Sequence, residues 1–217
     1  MAKMNAINNK SGSLTLDPGA SGDSFIQFDI NTTGEFRIGV DDDDLDKFKI
    51  SQGSALGSND TMVITAAGEI TYPLTSAFCA SVTAWGGTNV TGDGTDYTIA
   101  FTTEYFDQNS DFDGTSTFTA PVTGKYYITA SVLVDEVSAC TSSQFKIVTS
   151  NRTYKAYVLN VSQYAHAANY QATYSLSALA DFDASDTATI HVDLAGGGKV
   201  VDIGYGGRGM FSANLVC

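Results

Sequence analysis

A chain of 217 residues with 24 acidic against 11 basic side chains carries a net charge of −13. A surface this acidic repels phosphate backbones and anionic lipid headgroups, which excludes nucleic acid and a bare anionic membrane as partners. Charged residues make up only 16% while Gly (21), Tyr (11) and Phe (12) are plentiful, the composition of an all-β protein.

Residues 1–24 are rich in Asn, Lys, Ser and Gly. One short alternation, Ser13-Leu14-Thr15-Leu16, stops at the turn Asp17-Pro18-Gly19. The segment reads either as a loose leader or as an anchor into a larger assembly. No apolar stretch like a secretory signal opens the chain, and no run reaches the length of a membrane span.

Residues 25–77 hold five short alternating pieces: Phe25–Ile30, Phe36–Val40, Phe48–Ile50, Met62–Ile64 and Ile70–Tyr72. Gly, Asn or Asp follows each within a few residues. Each offers two or three apolar side chains on one face, and so small a segment makes a thin core. Three copies wound about an axis can bury such faces, so the expectation is an extended trimeric β shaft. Asp41-Asp42-Asp43-Asp44, with Asp46, admits two readings. Several carboxylates can ligate a hard cation, even between chains. The favoured reading is a solvated loop tip whose charge guards against aggregation, partly neutralised by Lys47 and Lys49.

Residues 78–217 read as a head. Phe78–Val82 is its first strand, Ala84–Asn89 a flexible Gly-rich connection, and Tyr97–Phe106 one long strand with Ile99, Phe101 and Thr103 on one face. Asp107, Asn109, Asp111 and Asp113 then alternate up to Gly114, like the front half of a calcium loop. Ala120 stands where such a loop needs Glu, and strands flank it. An Asp-rich turn is therefore favoured: no cofactor is required, with calcium held as the alternative. Phe118, Ala120 and Val122 alternate with Thr119 and Pro121, Thr123-Gly124 breaks the run, and Lys125–Val132 resumes it. Further strands fall near residues 128–134, 144–149, 153–161, 170–179 and 187–194.

Tyr154, Tyr157, Tyr164, Tyr170 and Tyr174 cluster late in the chain, where tyrosine suits either a core or a recognition surface. Gly196–Gly198 and Gly204–Gly209 mark loops without the helix that a phosphate cradle needs. The three cysteines, Cys79, Cys140 and Cys217, have no CxxC spacing and are expected as free thiols, a Cys79–Cys140 bridge being the alternative. Only His166 and His191 are present, and neither stands in a catalytic motif, so no enzyme is expected.

Phe118, Pro121, Gly124 and Tyr126 in FTAPVTGKYY resemble the motif of the globular-head family of complement component one, subcomponent q, which shares the tumour-necrosis-factor jelly roll. Leu179–Ile190 and Phe211–Leu215 resemble that family's last strands, with Ala213 where Gly is usual. The resemblance spans about Phe78 to Cys217. It implies a jelly-roll head that trimerises, adjacent first and last strands, and Tyr126, Tyr127 and Phe211 in the trimer core or interface. The stretches FRIGVDDDDLDKFKIS and LGSNDTMVITAAGEITYPL look like segments of bacteriophage tail-fibre and spike proteins.

These resemblances imply a viral fibre or spike: leader or virion anchor (1–24), shaft (25–77) and head (78–217). The expected partners are two further copies, other virion proteins at the N-terminus, and a host-surface glycan or protein. The loops 107–114, 163–170 and 196–209 are expected to carry the contact, with Tyr164, His166, Tyr170, Tyr205 and Arg208 as receptor-binding residues. The protein is expected in the virion, assembled in the host cytoplasm. The alternative is a capsid decoration or head fibre without a specific receptor. A cellular complement-like ligand is a third reading.

Overall fold

Alternating apolar residues demand strands, and the computed structural model is built of them. It describes residues 15–19, 21–30, 34–83, 85–165, 170–205 and 208–217. The chain divides into two units, Met1–Leu74 and Thr75–Cys217.

The first unit is an antiparallel meander of β1 (Ser24–Ile30), β2 (Gly34–Asp41), β3 (Lys47–Gln52), β4 (Asp60–Ile64) and β5 (Ile70–Thr71), in that spatial order. Its strands contain the five alternating pieces. Register, with a period of two, puts most of their apolar residues on one face, while Phe25 and Val63 fall on the other. One row across the sheet is Ile26, Ile38, Ile50 and Met62; another is Val40, Phe48, Ile64 and Ile70; a third holds Phe28 and Phe36.

The opposite face is largely polar, and its centre is buried. Lys49 is 3% exposed, and its ammonium lies 2.8 Å from Asp41 Oδ2, 2.7 Å from Asp44 Oδ2 and 3.2 Å from Asp60 Oδ2. The Asp41–Asp44 run is therefore not a wholly solvated tip. Two of its carboxylates are spent on a cation of the chain itself, while Asp42 and Asp43 remain exposed. The ion cage holds Lys49 protonated: burial works against its charge, but the hydrogen bonds to Asp41, Asp44 and Asp60 raise it well above the usual lysine range. Beside the cage, the Arg37 guanidinium donates to Glu35 Oε1 (2.7 Å) and Gly53 O (3.0 Å) and lies over the Phe25 ring.

The second unit is a jelly roll of two sheets. The larger follows the order β7 (Trp85–Thr91), β16 (Val201–Tyr205), β11 (Gly124–Asp135), β17 (Gly209–Leu215), β6 (Ala77–Ser81), β9 (Thr103–Asp107), with β14 (Ala172–Phe182) on the other edge of β11. The smaller is β10 (Phe118–Thr119), β15 (Thr187–Ala195), β12 (Ser142–Thr149), β13 (Thr153–Leu159), with β8 (Tyr97–Thr98) on β15. The first strand and the last are neighbours, Ala80 opposite Phe211. Between the sheets Phe78 stacks on Phe112 and Phe118 at 4.7 and 5.3 Å and meets Phe211 edge-on.

Three sequence expectations change here. Tyr97–Phe106 is not one strand. Ile99 and Phe101 are fully buried in a crossing from the smaller sheet to the larger, so β8 and β9 pair with different sheets. The Gly-rich stretch after Ala84 is no loose connection but β7, held to β16. Val161 does not extend β13; it begins α1 (Val161–Tyr164), a single helical turn.

The motif around Pro121 has plain local causes. Phe118, Ala120 and Tyr126 are buried, and the Tyr126 hydroxyl donates to Val122 O at 2.9 Å across the turn. A Cβ at Gly124 would meet Cys217 O at 2.8 Å, so glycine lets the chain's last strand come close. All three cysteines are free, Cys79 and Cys140 buried and Cys217 exposed, so no Cys79–Cys140 bridge forms.

Candidate binding surface

The head has two ends, and the strand register defines them. β11 starts at Gly124 opposite Phe182 and finishes at Asp135 opposite Asp202. At the root end the chain comes in and its last strand goes out: Leu215 N–H donates to Ser76 O and Lys125 N–H to Cys217 O. At the far end the loops interlock through Val137 N–H to Tyr170 O, Leu133 N–H to Arg208 O and Gly197 N–H to Gly92 O.

This geometry corrects the grouping of the three expected contact loops. Loop 107–114 lies at the root, where Gln108 N–H donates to Ala77 O. The described residues of loops 163–170 and 196–209 lie at the far end. Chain order could not reveal this, because β9 runs towards the root whereas β13 and β15 run towards the other end.

Two grooves meet at the far end. One, of about 370 Å³, is lined by Val158, Val161, Tyr164, Ala172, Thr173 and Tyr174. The other, of about 380 Å³, is lined by Ser131, Leu133, Thr173, Arg208, Gly209 and Met210. Thr173 lines both, so the two grooves are neighbours, with Tyr164 in one and Arg208 in the other. Tyr164 is 75% exposed, Tyr170 and Arg208 are exposed, and Tyr205 ends β16 opposite Trp85. His166 lies outside the described residues. Tyr174, by contrast, is buried and donates to Ser143 Oγ at 2.6 Å. Sequence reading missed Val158, Val161 and Thr173. They line a shared surface only because β13 and β14 are edge strands of different sheets, which no local pattern announces.

Tyr126 and Phe211 sit in the head core, whereas Tyr127 points outward, 44% exposed, between Leu179 and Asn214.

The alternating acids of loop 107–114 are used as turn acceptors. Asp107 takes Asp111 N–H at 3.1 Å and Phe112 N–H at 2.9 Å; Asp113 takes the N–H groups of Thr115, Ser116 and Thr117 at 2.8 to 3.0 Å. Burial alone would raise the Asp113 carboxyl, but those amides outweigh it and hold it below the usual range. Asp111 goes the other way: burial, with Asp107 nearby, raises it above the usual range. Asn109 is half-buried between them. Among the described residues no group of three or more His, Cys, Asp or Glu is placed to hold a metal ion.

On the outer face of the smaller sheet, His191 Nδ1 lies 3.1 Å from Asp96, and Nε2 lies 3.0 Å from Thr189 Oγ1 and 3.3 Å from Thr98 Oγ1. Lys146 bridges Asp96 and Asp193 at 3.0 and 2.6 Å. A hydroxyl–imidazole–carboxylate order is the outline of a nucleophilic site. Here it lies on a sheet face outside both grooves, and Lys146 shares the carboxylate, so the contacts tie β8 to β15. Burial would raise Asp96, yet the bonds from Lys146 and His191 leave it lowered. A carboxylate lowered on folding contributes stability that is present above the unfolded value of about 3.9 and is lost as pH falls through the folded value. Head stability is thus expected to hold from pH 7 to about 5 and to decline below about 4, measured as Tm against pH. Asp96→Asn should flatten that decline.

No family model matches the sequence, and no curated protein matches it. Among solved structures, the globular domain of the zebrafish complement 1qA protein is 15% identical, with 66% of this chain and 98% of that one covered and a TM-score of 0.44. Murine APRIL at pH 8.0 is 7% identical, covering 65% and 98%, with a TM-score of 0.47. The PRD1 vertex protein P5 is 11% identical, covering 66% and 98%, with a TM-score of 0.45. Likeness at this level carries no argument, and the jelly roll rests on the strand order given above.

Proposed function

We propose that the protein is the protomer of a homotrimeric viral fibre or spike whose head binds a host-surface glycan or protein. The observation that carries this reading is the polarity of the head. Chain entry and last strand share the root, while the neighbouring grooves, Tyr164 and Arg208 occupy the opposite end. A rigid β scaffold with variable loops at its free end is the usual way to present a binding surface. In this reading residues 25–77 form the shaft, the N-terminus meets other virion proteins, and three heads multiply a weak single-site affinity.

Two measurements test it. The native mass from light scattering, with and without chelator, is expected to be that of three chains in both. A trimer that dissociates only in chelator would point to a bound cation, at Asp41–Asp44 or in loop 107–114. A single-chain mass overturns the trimer. Labelled protein is then applied to an array of bacterial surface polysaccharides and envelope proteins. Binding that Tyr164→Ala with Arg208→Ala weakens at least tenfold supports the far-end site. Absence of binding, with immunogold label on the capsid shell, is the result for a decoration protein and would overturn the receptor reading.

A further inference from the structure

We infer that the apolar face of the first unit's sheet is where copies of this chain join, each covering the same face of its neighbours. The inference draws on the trimeric reading above only for the expected count of three.

The face is continuous and free of charge. Its three rows hold Ile26, Ile38, Ile50 and Met62; Val40, Phe48, Ile64 and Ile70; and Phe28 with Phe36, with Ile30 at the margin. Every charged strand residue of this acidic unit is placed elsewhere. Asp29, Glu35, Arg37, Asp41, Lys47 and Lys49 alternate onto the opposite face, where the ion cage and the Arg37 contacts occupy most of them. A strand period of two makes this separation automatic once the register is set.

The face is also too large to leave bare. Ile30 is 72% exposed, Phe28 58%, Ile70 52%, and Ile26, Phe36 and Val40 are also exposed. At roughly 200 Å² for a fully exposed large side chain, these six present on the order of 600 Å². The largest apolar patch on a typical monomer is about 300–600 Å². Stable interfaces bury about 800 Å² per partner, from a lower limit near 600 Å². Two such faces in contact therefore reach the area of a specific interface with no contribution from any other surface.

The exposed area matches what a second copy of the same face needs, and charge does not oppose a copy there. Two chains of −13 repel wherever their acidic surfaces meet. This face is the part of the sheet that brings no carboxylate to the contact. Among the described residues β1 is the outermost strand of the sheet, and its unbroken seven-residue register brings Ile26, Phe28 and Ile30 to this face.

The test is native mass by light scattering on the full chain, with hydrogen exchange as a check on the sheet. Phe28→Asp and Ile70→Asp place one charge at opposite margins of the face, at side chains already exposed in the single chain. Each is expected to lower the mass threefold while β3 amides keep their protection. Leu45→Asp adds the same charge off the face, on a residue 80% exposed, and is expected to leave the mass unchanged. A single-chain mass for the unaltered protein overturns the inference, as do Phe28→Asp and Ile70→Asp variants that keep the wild-type mass or an equal loss with Leu45→Asp. If one variant loses β3 protection, the other decides. Loss of array binding with the mass intact strikes only the receptor reading, so the two failures are distinguishable.

Discussion

Lys49→Ala is expected to cost the N-terminal sheet about 3–5 kcal/mol, the usual loss when one partner of a buried ion pair is removed. The reason is what remains behind. Asp41 is 5% exposed, and with Asp60 it would keep a carboxylate facing a cavity with no cation. Lys49→Met fills the space but leaves the same charges, so it should be nearly as harmful. Adding Asp41→Asn to Lys49→Met should recover part of the loss. The only Trp lies in the other unit, so the readout is hydrogen exchange at β3 amides in a urea series. The sign against pH follows from two shifts. Lys49 is raised, so its contribution is present below the unfolded value of about 10.4 and lost as pH rises through the folded one. Asp44 is lowered, by hydrogen bonds from Lys47 and then Lys49, so its contribution is present above about 3.9 and lost as pH falls through its folded value. Protection of β3 should therefore plateau between about pH 4 and 10 in the native chain, and in Lys49→Ala the alkaline fall should vanish while the acid one, sustained by Lys47, remains.

Phe118→Ala is expected to destabilise the head by about 3–5 kcal/mol, the range for removing a buried Phe from a core that relaxes only in part. Phe118 is fully buried, with ring centroids of Phe78, Tyr126 and Phe182 at 5.3, 5.5 and 6.1 Å. Its strand is only two residues long and opposite Ala188, so little backbone can shift to refill the space. The Tm of the head should fall on the order of 10 °C. Val122→Ala, four residues on and half exposed, should stay within about 0.5 kcal/mol. Equal effects from the two would mean that the aromatic cluster is not the centre of the core.

What could be read from the sequence was what period two encodes. Phe25–Ile30 and Phe36–Val40 announced strands because each carries its own alternation, and the all-β class followed. Phe118, Gly124 and Tyr126 were legible together because a turn, a core ring and a close approach of the last strand impose residue types at fixed spacing. Tyr97–Phe106 misled for the same reason: alternation continues through Ile99 and Phe101 although the chain leaves one sheet for the other, and burial from both sides looks like a strand. The Asp41–Asp44 run was legible in part: Lys49 could be named as a counter-charge, but its burial among Asp41, Asp44 and Asp60 follows only from the register of β2, β3 and β4. The far-end groove at Thr173 was illegible because it joins edges of two sheets that are distant in sequence.

The lysine at the centre of the aspartate cage has a consequence for where the first unit can operate. A divalent ion in that position would be exchangeable with the medium: its occupancy would follow the supply, and a chelator could remove it. A lysine on a neighbouring strand is tethered, so its local concentration is fixed by the chain and does not fall on dilution. The sheet's charge balance is carried from synthesis onward and is the same in calcium-poor water as in a mineral-rich one.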